Sequence, residues 1–412
     1  MMKNIKSKNI FYGWYIVAAS SINNGIGGSV HWKGFTVFFI PLSQSLGLTS
    51  AQTAIPFALS RAENGILGPI TGWLLDKYGV KKLMLIGTFV TGIGYILLSF
   101  TTSFLSFVII YLFVISIGSS TAFMQASMAA INKWFIRKRG LAMSINNASF
   151  RLGGALLVPL LSVSVINLGW EKSSMIVGVL IIVIIMPLSF IFKKSPESMG
   201  LYPDGEKLTI NEKKSIRFSI DDWTTKEAMK TKVYWLLVFA TMLRIAVHGT
   251  IFLHFIPILV WKGESQQASA NLIGLLALFS VPLIIFFGWL GDKYGRPKLL
   301  LLCYCSASIS LLLLNQVDST LTIFLALLLF SGTEIGAGMN WSLVGDFFGR
   351  ENFATIRGSM APIYNISLFT MPIAAGWVKD ITDSYEIVLI AGAIMLLLSG
   401  LLFGILKKPS RN

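Results

Sequence analysis

One short pattern occurs twice in this sequence, and the spacing of the two copies restricts the folds that the chain can adopt. The first copy is Gly72–Lys82 and the second is Gly288–Lys298. Both begin Gly-Trp-Leu-x-Asp-Lys-Tyr-Gly, and their aspartates, Asp76 and Asp292, are 216 residues apart in a chain of 412. An internal repeat at roughly half the chain length predicts two homologous halves.

The composition indicates that both halves are embedded in a membrane. Apolar residues make up 54% of the chain and charged residues only 13%, whereas a soluble protein carries about 25% charged residues. The apolar residues form runs near the roughly 20 residues that cross a bilayer, and such runs must be helical because unpaired backbone groups are costly in lipid. We therefore predict an all-α membrane protein of two pseudo-symmetric six-helix bundles. The twelve expected spans are approximately 12–41, 51–75, 81–100, 103–131, 140–166, 170–193, 233–260, 267–291, 297–316, 319–347, 356–378 and 385–407.

The basic residues predict the orientation of the spans. If the chain starts inside, 27 of its 34 Lys and Arg residues fall in inward-facing segments, as the positive-inside rule requires. This places a multi-pass protein in the cytoplasmic membrane with both termini cytoplasmic. The net charge of +15 then records membrane insertion, so no nucleic-acid partner is expected.

The predicted domains are an N-terminal bundle at 1–193, a cytoplasmic linker at 194–232 and a C-terminal bundle at 233–412. The linker is rich in charged residues and reads as solvated, with a short helix predicted at 220–230. Cys303 and Cys305 lie in an apolar span without other metal ligands nearby. No cofactor or metal is therefore implied.

Two loops support the repeat and suggest a family. The segment Trp134–Ala142, which contains Arg139, is echoed by the segment Asp346–Gly358, and Arg357 follows Arg139 by 218 residues. With the aromatic start of the first span, Phe11–Val17, these features resemble the major facilitator superfamily, specifically its monocarboxylate and oxalate/formate branch. The resemblance implies alternating access around a midplane site lined by the first, fourth, seventh and tenth helices.

The repeated turn predicts a gate. Its glycines allow a tight reversal and close helix approach, and its aspartate can meet the positively polarised start of a helix in the other half. We expect Asp76 to bind the start of the eleventh helix near Arg357, and Asp292 to bind the start of the fifth near Arg139. The alternative is that these residues only fix topology and loop shape. The gating set is Gly72, Asp76, Lys77, Gly79, Gly288, Asp292, Lys293, Gly295, Arg296, Arg139 and Arg357.

Ionisable residues inside spans mark a candidate site. Each is costly to place in the membrane, and Arg151, Arg244 and Glu334 should lie near the midplane. His248 follows Arg244 by one helical turn, and Asn147 precedes Arg151 by one turn, so each pair shares a helix face. Glu334 and His248 are the groups that can carry a coupling proton, although Glu334 can equally be a permanent counter-ion for an arginine.

Other polar residues leave alternatives open. Asn24, Gly28 and His31 form a stripe on the first helix that can admit either a ligand or a neighbouring helix. Arg61 and Glu63 are two residues apart on the second helix and point to nearly opposite sides. We favour Arg61 for the substrate pathway, the alternative being that both residues join helices. Lys33 is expected to extend to the interface and receives no role.

The charge balance predicts the ligand class. Lys33, Arg61, Arg151 and Arg244 outnumber Glu63 and Glu334 by two, which suits an anion, and arginine offers a fork that fits a carboxylate. The resemblance points the same way. However, monocarboxylate transporters typically place an arginine in the eighth helix, where residues 280–287 contain no cation, so lactate is not implied.

The predicted function is secondary transport of a small organic anion, by proton symport or by exchange (antiport), in a protein that is expected to be a monomer in the lipid bilayer. A membrane enzyme is disfavoured because the sequence lacks a nucleophile elbow, a metal cluster and a phosphate-binding loop. A sensor is disfavoured by the short ends. A drug or other small-metabolite exporter on the same fold is the closer alternative.

Overall fold

A computed structural model describes residues 10–48, 50–205, 222–317 and 319–410. Within these residues the regular structure is helical, without a strand. A short helix, Thr225–Lys230, lies in the linker. The long helices are α1 (12–45), α2 (Ser50–Tyr78), α3 (Val80–Leu98), α4 (Phe104–Trp134), α5 (Arg139–Leu168), α6 (Trp170–Ile191), α7 (232–261), α8 (Gln266–Tyr294), α9 (Arg296–Gln316), α10 (Thr320–Phe348), α11 (353–382) and α12 (Glu386–Gly404).

Nine of these helices are long and apolar enough to cross a membrane, by the length and composition of the described residues. They are α3 to α10 and α12. The remaining three, α1, α2 and α11, are divided into shorter segments or carry more polar residues. The twelve helices form two six-helix bundles, α1–α6 and α7–α12, which confirms the predicted fold class.

Several helices are interrupted, and proline explains two of the interruptions. In α7 the helix stops at Leu253, four residues before Pro257, because a proline ring clashes with the carbonyl group four residues earlier. In α11 the break at Met360 precedes Pro362, which lies in the first turn of the next segment. In α1, π-helical turns at Asn24–Gly28 and Val30–Gly34 locally widen the helix.

Both copies of the repeated turn reverse the chain through a left-handed glycine. Gly79 has a φ of 85° between α2 and α3, and Gly295 has a φ of 97° between α8 and α9. A residue with a side chain would be strained at either position. The end of the molecule at which Asp76 and Asp292 lie is called the motif end below.

The apolar core is organised differently at the two ends. At the motif end one cluster contains residues of both bundles, such as Trp134 and Phe135 with Tyr234 and Phe348. Toward the opposite end the buried apolar residues separate into two clusters, one within α1–α6 and one within α7–α12. Among the described residues, the bundles are therefore packed together at the motif end and have separate cores at the opposite end.

Candidate functional site

An ion pair joins the two bundles in mid-membrane. Arg151 on α5 pairs with Glu334 on α10, and their side chains are 13% and 2% exposed. One turn before Arg151, the amide of Asn147 donates to the backbone carbonyl of Glu334 at 3.5 Å. The helical spacing of Asn147 and Arg151 thus directs both side chains at the same part of α10.

Arg244 on α7 is buried beside this pair without a matching carboxylate. Its side chain is 6% exposed, and its Nε has no hydrogen-bond partner among the described residues. Glu334, Arg151 and the phenols of Tyr304 and Tyr364 lie within electrostatic range of it. The carboxylate of Glu334 is already paired with Arg151. Among the described residues Arg244 is therefore a desolvated cation without a counter-ion of its own, which is costly unless a ligand supplies one.

His248 lies one turn further along α7 and is only partly exposed. Its Nδ1 is 3.1 Å from the hydroxyl of Thr333, next to Glu334 on α10. The ring packs against Phe252 at 5.3 Å and is stacked on Phe330 at 6.4 Å between centroids. His248 therefore lies between the cationic Arg244 and the aromatic rings of Phe252 and Phe330.

Lys33 corrects an expectation. It does not lie at the end of its span, because α1 continues for twelve more residues to Ser45. Its Nζ lies 5.2 Å from the ring centroid of Phe150, and a side chain at Gly154 would come within 2.8 Å of that nitrogen. Lys33 is also within electrostatic range of Arg151 and Glu334, so we add it to the site. Lys33 was already counted among the cations within the predicted spans. Its depth was misjudged because α1 is longer than the predicted span.

Asn24 and His31 are directed at neighbouring helices, which favours helix contact over ligand binding for the stripe on α1. Asn24 donates to the backbone carbonyl of Asn146 at 3.1 Å, and His31 Nε2 is 3.0 Å from the hydroxyl of Ser119. Their side chains are 0% and 1% exposed. The polar stripe on α1 therefore admits neighbouring helices. The side chain of Arg61 lies outside the described residues.

At the motif end, Asp292 binds the start of α5. Its carboxylate accepts hydrogen bonds from the backbone N–H groups of Gly140 at 2.8 Å and Leu141 at 2.9 Å. Arg296 also donates to Asp292 at 2.6 Å and pairs with Asp346, whose other oxygen accepts from Arg139 at 2.6 Å. Two carboxylates and two guanidinium groups thus form one buried network.

Asp76 makes the pseudo-symmetric contact with the start of α11. One carboxylate oxygen accepts from the backbone N–H of Thr355 at 2.8 Å and from its hydroxyl at 2.7 Å. Arg357 does not join this contact, because its guanidinium lies over the ring of Trp341 at 4.4 Å. Both aspartates therefore meet the helix starts that the repeat indicated, but only Asp292 does so with arginine partners.

The remaining residues of the gating set have structural positions that follow the repeat. Lys77 lies over Trp73 at 4.4 Å, and Lys293 lies over Trp289 at 5.6 Å from the ring centroid. A side chain at Gly72 would overlap the Ala354 carbonyl of α11, and one at Gly288 would lie 2.5 Å from Ser144 Cβ of α5. The two glycines thus allow the bundles to approach closely.

The linker adds two contacts that sequence reasoning missed. The carboxylate of Asp204 accepts from the backbone N–H groups of Ile136, Arg137 and Lys138 at 2.9–3.1 Å. Asp222 accepts from those of Arg350 at 2.7 Å and Glu351 at 3.1 Å. The sequence feature that marks Asp204 is the Pro-Asp-Gly turn at Pro203–Gly205, which lies within a segment whose composition predicts a solvated linker.

A family model for the Major Facilitator Superfamily matches residues 24–343 of this chain. The chain belongs to this superfamily. It is 25% identical to a probable sulfoacetate transporter of Cupriavidus necator over 86% of this chain and 85% of that protein. It is also 25% identical to Monocarboxylate transporter 2 of Mus musculus over 94% of this chain and 82% of that protein.

A solved structure, that of the major facilitator transporter FucP in the outward conformation, has the same fold. It matches with a TM-score of 0.72 at 13% identity, over 94% of this chain and 98% of that one. The protein is therefore a multi-pass membrane transporter of the Major Facilitator Superfamily, a family whose members are generally not enzymes.

Proposed function

We propose that this major facilitator protein is a secondary transporter that moves a small organic anion across the cytoplasmic membrane by alternating access. The observation that carries the proposal is Arg244, a buried guanidinium without a carboxylate of its own beside the Arg151–Glu334 pair. Lys33, Arg151 and Arg244 around Glu334 leave two positive charges in excess. A carboxylate or sulfonate entering this site would supply the missing counter-charge.

Arginine also favours this ligand class by its shape. Its planar fork can donate two parallel hydrogen bonds to a carboxylate. The named substrates of the two relatives, sulfoacetate and monocarboxylates, are small anions. In this proposal Arg244 binds the anion directly, and Lys33 contributes positive charge to the site. Asn147 and His248 line it between the two bundles.

The distribution of basic residues supports an orientation with the motif end and both termini in the cytoplasm. In this orientation residues 1–193 and 233–412 are the two bundles, and 194–232 is the cytoplasmic linker. The contacts of Asp76 and Asp292 would hold the cytoplasmic end shut, and inward opening would break them. Each contact uses a carboxylate at a helix start, which is a favourable location for negative charge.

Coupling can occur in two ways. The pairing of Glu334 with Arg151 supports its role as a permanent counter-ion, and His248 is then the proton candidate at the substrate site. Exchange of one anion for another would need no titrating group. A proton symporter accumulates substrate along an imposed pH gradient, whereas an exchanger requires anion on both sides.

The test is uptake into liposomes that contain the purified protein. Labelled sulfoacetate, pyruvate and lactate are compared with organic cations and neutral sugars, with and without a pH gradient. Arg244→Ala should reduce anion uptake by at least about tenfold, since truncating one member of a buried charge pair costs 2–5 kcal/mol. Arg244→Lys should retain part of it, because it keeps the charge but not the fork.

The matched control is Lys379→Ala, which removes a partly exposed cation far from the site. It should leave uptake unchanged. Full uptake by both Arg244→Ala and Arg151→Ala would contradict the anion site, as would a protein that carries only cations or neutral molecules. The latter result would favour an exporter on the same fold.

A further inference from the structure

A second ionisable group lies in mid-membrane, away from the Arg151–Glu334 pair. Glu63 is the fourteenth of the 29 residues of α2, one residue before the middle of the helix. Both of its carboxyl oxygens are buried without a hydrogen-bond partner of good geometry among the described residues. The ion pairs within the same residues do not include it. A carboxylate in this position would lack the cation that usually compensates its burial.

A serine hydroxyl on α4 lies beside this carboxyl. Glu63 is within hydrogen-bonding reach of Ser116, and the Ser116 hydroxyl is 2.7 Å from that of Ser60, one turn before Glu63 on α2. One turn further along α4, the hydroxyl of Ser119 is 3.0 Å from His31. Glu63 thus ends a buried row of hydroxyl groups between α2 and α4.

Among the side chains that the structure describes, no cation forms an ion pair with Glu63. His31 is bonded to Ser119, and Tyr111 is stacked on His31 at 6.0 Å. On its own helix, Arg61 is two residues away, about 200° around the axis. Titratable side chains near the middle of the neighbouring helices include His31 and Lys33 on α1, Tyr95 on α3, Tyr111 on α4 and Tyr364 on α11.

Two of those groups are engaged elsewhere. Lys33 lies against Phe150 of α5, and Tyr364 packs against Trp341 of α10 at 5.7 Å. An ionised carboxyl without a cation is expensive to bury, whereas a neutral carboxylic acid can donate its O–H to a hydroxyl. The surroundings of Glu63 therefore favour the protonated acid.

We propose that Glu63 is a proton-binding site of this transporter, distinct from the anion site, and that its acid form donates a hydrogen bond to Ser116. On release the O–H bond of the acid breaks, the electron pair stays on the carboxylate, and the proton passes to water in the cleft between the bundles. Ser116 can then turn its own O–H toward the carboxylate. The role of this proton in transport rests on the proposed function.

The position of α2 explains how such a proton would affect the gate. The same helix packs closely on α11 of the other bundle, where a side chain at Gly65 would lie 3.2 Å from Asn365 and one at Gly68 would lie 2.7 Å from Ala361. α2 also carries Asp76. A change of charge at Glu63 therefore acts on the helix that forms one of the two contacts closing the motif end.

The first experiment detects the proton without any substrate. Infrared difference spectra of the purified protein are recorded as the pH is raised, and the carbonyl band of a protonated carboxylic acid is followed. The wild type should lose this band, Glu63→Gln should lack the change, and Glu334→Gln should retain it. Ser116→Ala should shift the band, because it removes the hydrogen-bond partner while keeping the acid. A titrating band that is the same in Glu63→Gln and the wild type would overturn the proposal.

The second experiment separates coupling from binding, with sulfoacetate and pyruvate as probes. Glu63→Gln should lose accumulation driven by a pH gradient, down to the level without a gradient, but retain exchange of labelled for unlabelled anion. Arg244→Ala should lose both. Gradient-driven accumulation by Glu63→Gln equal to that of the wild type would overturn the coupling role. If the wild type carries no anion at all, the proposed function fails, while the infrared result still decides whether Glu63 binds a proton.

Discussion

Asp292 and Asp76 occupy equivalent positions in the repeated turn, yet their surroundings differ. Asp292 binds two backbone N–H groups of α5 and also Arg296, which connects it to Asp346 and Arg139. Asp76 accepts mainly from the backbone and hydroxyl of Thr355, and the backbone of Ala354 and the charge of Lys133 also act on it. The position four residues after the aspartate explains the difference, because it is Arg296 in the second copy and Val80 in the first.

The backbones of the two bundles approach each other more closely at the Asp76 contact than at the Asp292 contact. At the Asp76 contact, the absent side chain of Gly72 makes room for the backbone of α11 at Ala354 and Thr355. At the Asp292 contact, Gly288 faces mainly the side chain of Ser144. The Asp292 contact thus depends more on charge, and the Asp76 contact depends more on the close approach of two backbones. The repeat thus preserves the contact of a carboxylate with a helix start, while the partners that strengthen this contact differ between the two copies.

The largest expected effect is that of Asp292→Ala compared with Asp76→Ala. Removing Asp292 leaves Arg296 and Arg139 to share Asp346, and breaking a buried charge pair costs about 3–5 kcal/mol. Removing Asp76 leaves the donors of Thr355 unpaired, at about 1–3 kcal/mol. Thermal unfolding of the purified variants measures the difference.

The same variants test the gate. In a background without Cys303 and Cys305, a cysteine in place of Ser144, which is buried between α5 and the second bundle, reports opening of the motif end by its rate of thiol labelling. Asp292→Ala should increase that rate more than Asp76→Ala. Equal labelling of both variants and the parent would count against the gating role.

A smaller effect is expected from alanine at the two glycines. Gly72→Ala places a methyl group against the backbone of α11, and overpacking of this kind costs about 1–3 kcal/mol. Gly288→Ala meets a side chain instead, so Ser144→Gly should restore much of its stability. Melting temperatures of the two single variants, the double variant and Ser144→Gly alone provide the comparison. If Gly288→Ala is the more damaging variant, the assignment of tighter backbone packing to the Asp76 contact is wrong.

The sequence predicted the contacts at the motif end because the repeat carries three-dimensional information. Two homologous bundles related by pseudo-symmetry imply that whatever α2 does to α11, α8 does to α5. The twelve helices could be predicted from hydropathy, because each apolar run is a local property of the chain. The pairing of Arg151 with Glu334 could not be predicted, because helix periodicity gives the face of a residue but not its distance from another bundle.

Three further features could not be decided from the sequence, for physical reasons. Asn24 and His31 occupy one helix face, and a helical stripe does not distinguish a ligand from a neighbouring helix, so both alternatives stayed open. The depth of Lys33 depended on where α1 ends, which hydropathy placed several residues too early. Asp204 lies in a charged linker, and its contact with three amides depends on a left-handed backbone conformation with a φ of 59°, which composition does not reveal.

The linker contacts the starts of both α5 and α11, and it makes more hydrogen bonds at α5, the helix that Asp292 binds. Asp204 accepts from three amides just before the start of α5, and Asp222 accepts from two just before that of α11. We expect Asp204→Ala to lower the melting temperature more than Asp222→Ala, since it leaves more buried donors unpaired and places alanine in a left-handed conformation. Limited proteolysis of the linker should accelerate in the same order. The reverse order would show that the number of amides held does not determine how firmly each end is attached.

The smallest effect is expected at an ion pair near the surface of the motif end. Arg350 donates to Glu197 at 2.5 Å and to the backbone carbonyl of Lys133 at 2.8 Å, joining the α10–α11 loop to the linker and the first bundle. Partial burial alone would raise the pKa of Glu197, but the hydrogen bond and charge of Arg350 outweigh it and lower the pKa from its ordinary value of 4.5.

A lowered pKa means that the folded protein favours ionised Glu197, so the pair stabilises the fold above pH 4.5 and this contribution is lost as the pH falls through the lowered pKa. Because Glu197 is about half exposed, the gain is about 0–1 kcal/mol. Glu197→Gln should therefore melt slightly below the wild type at neutral pH, and the two curves should converge in acid. A difference that grows in acid would contradict this sign, and one as large as that of Asp292→Ala would show that the strength of the motif end does not follow burial of its charges.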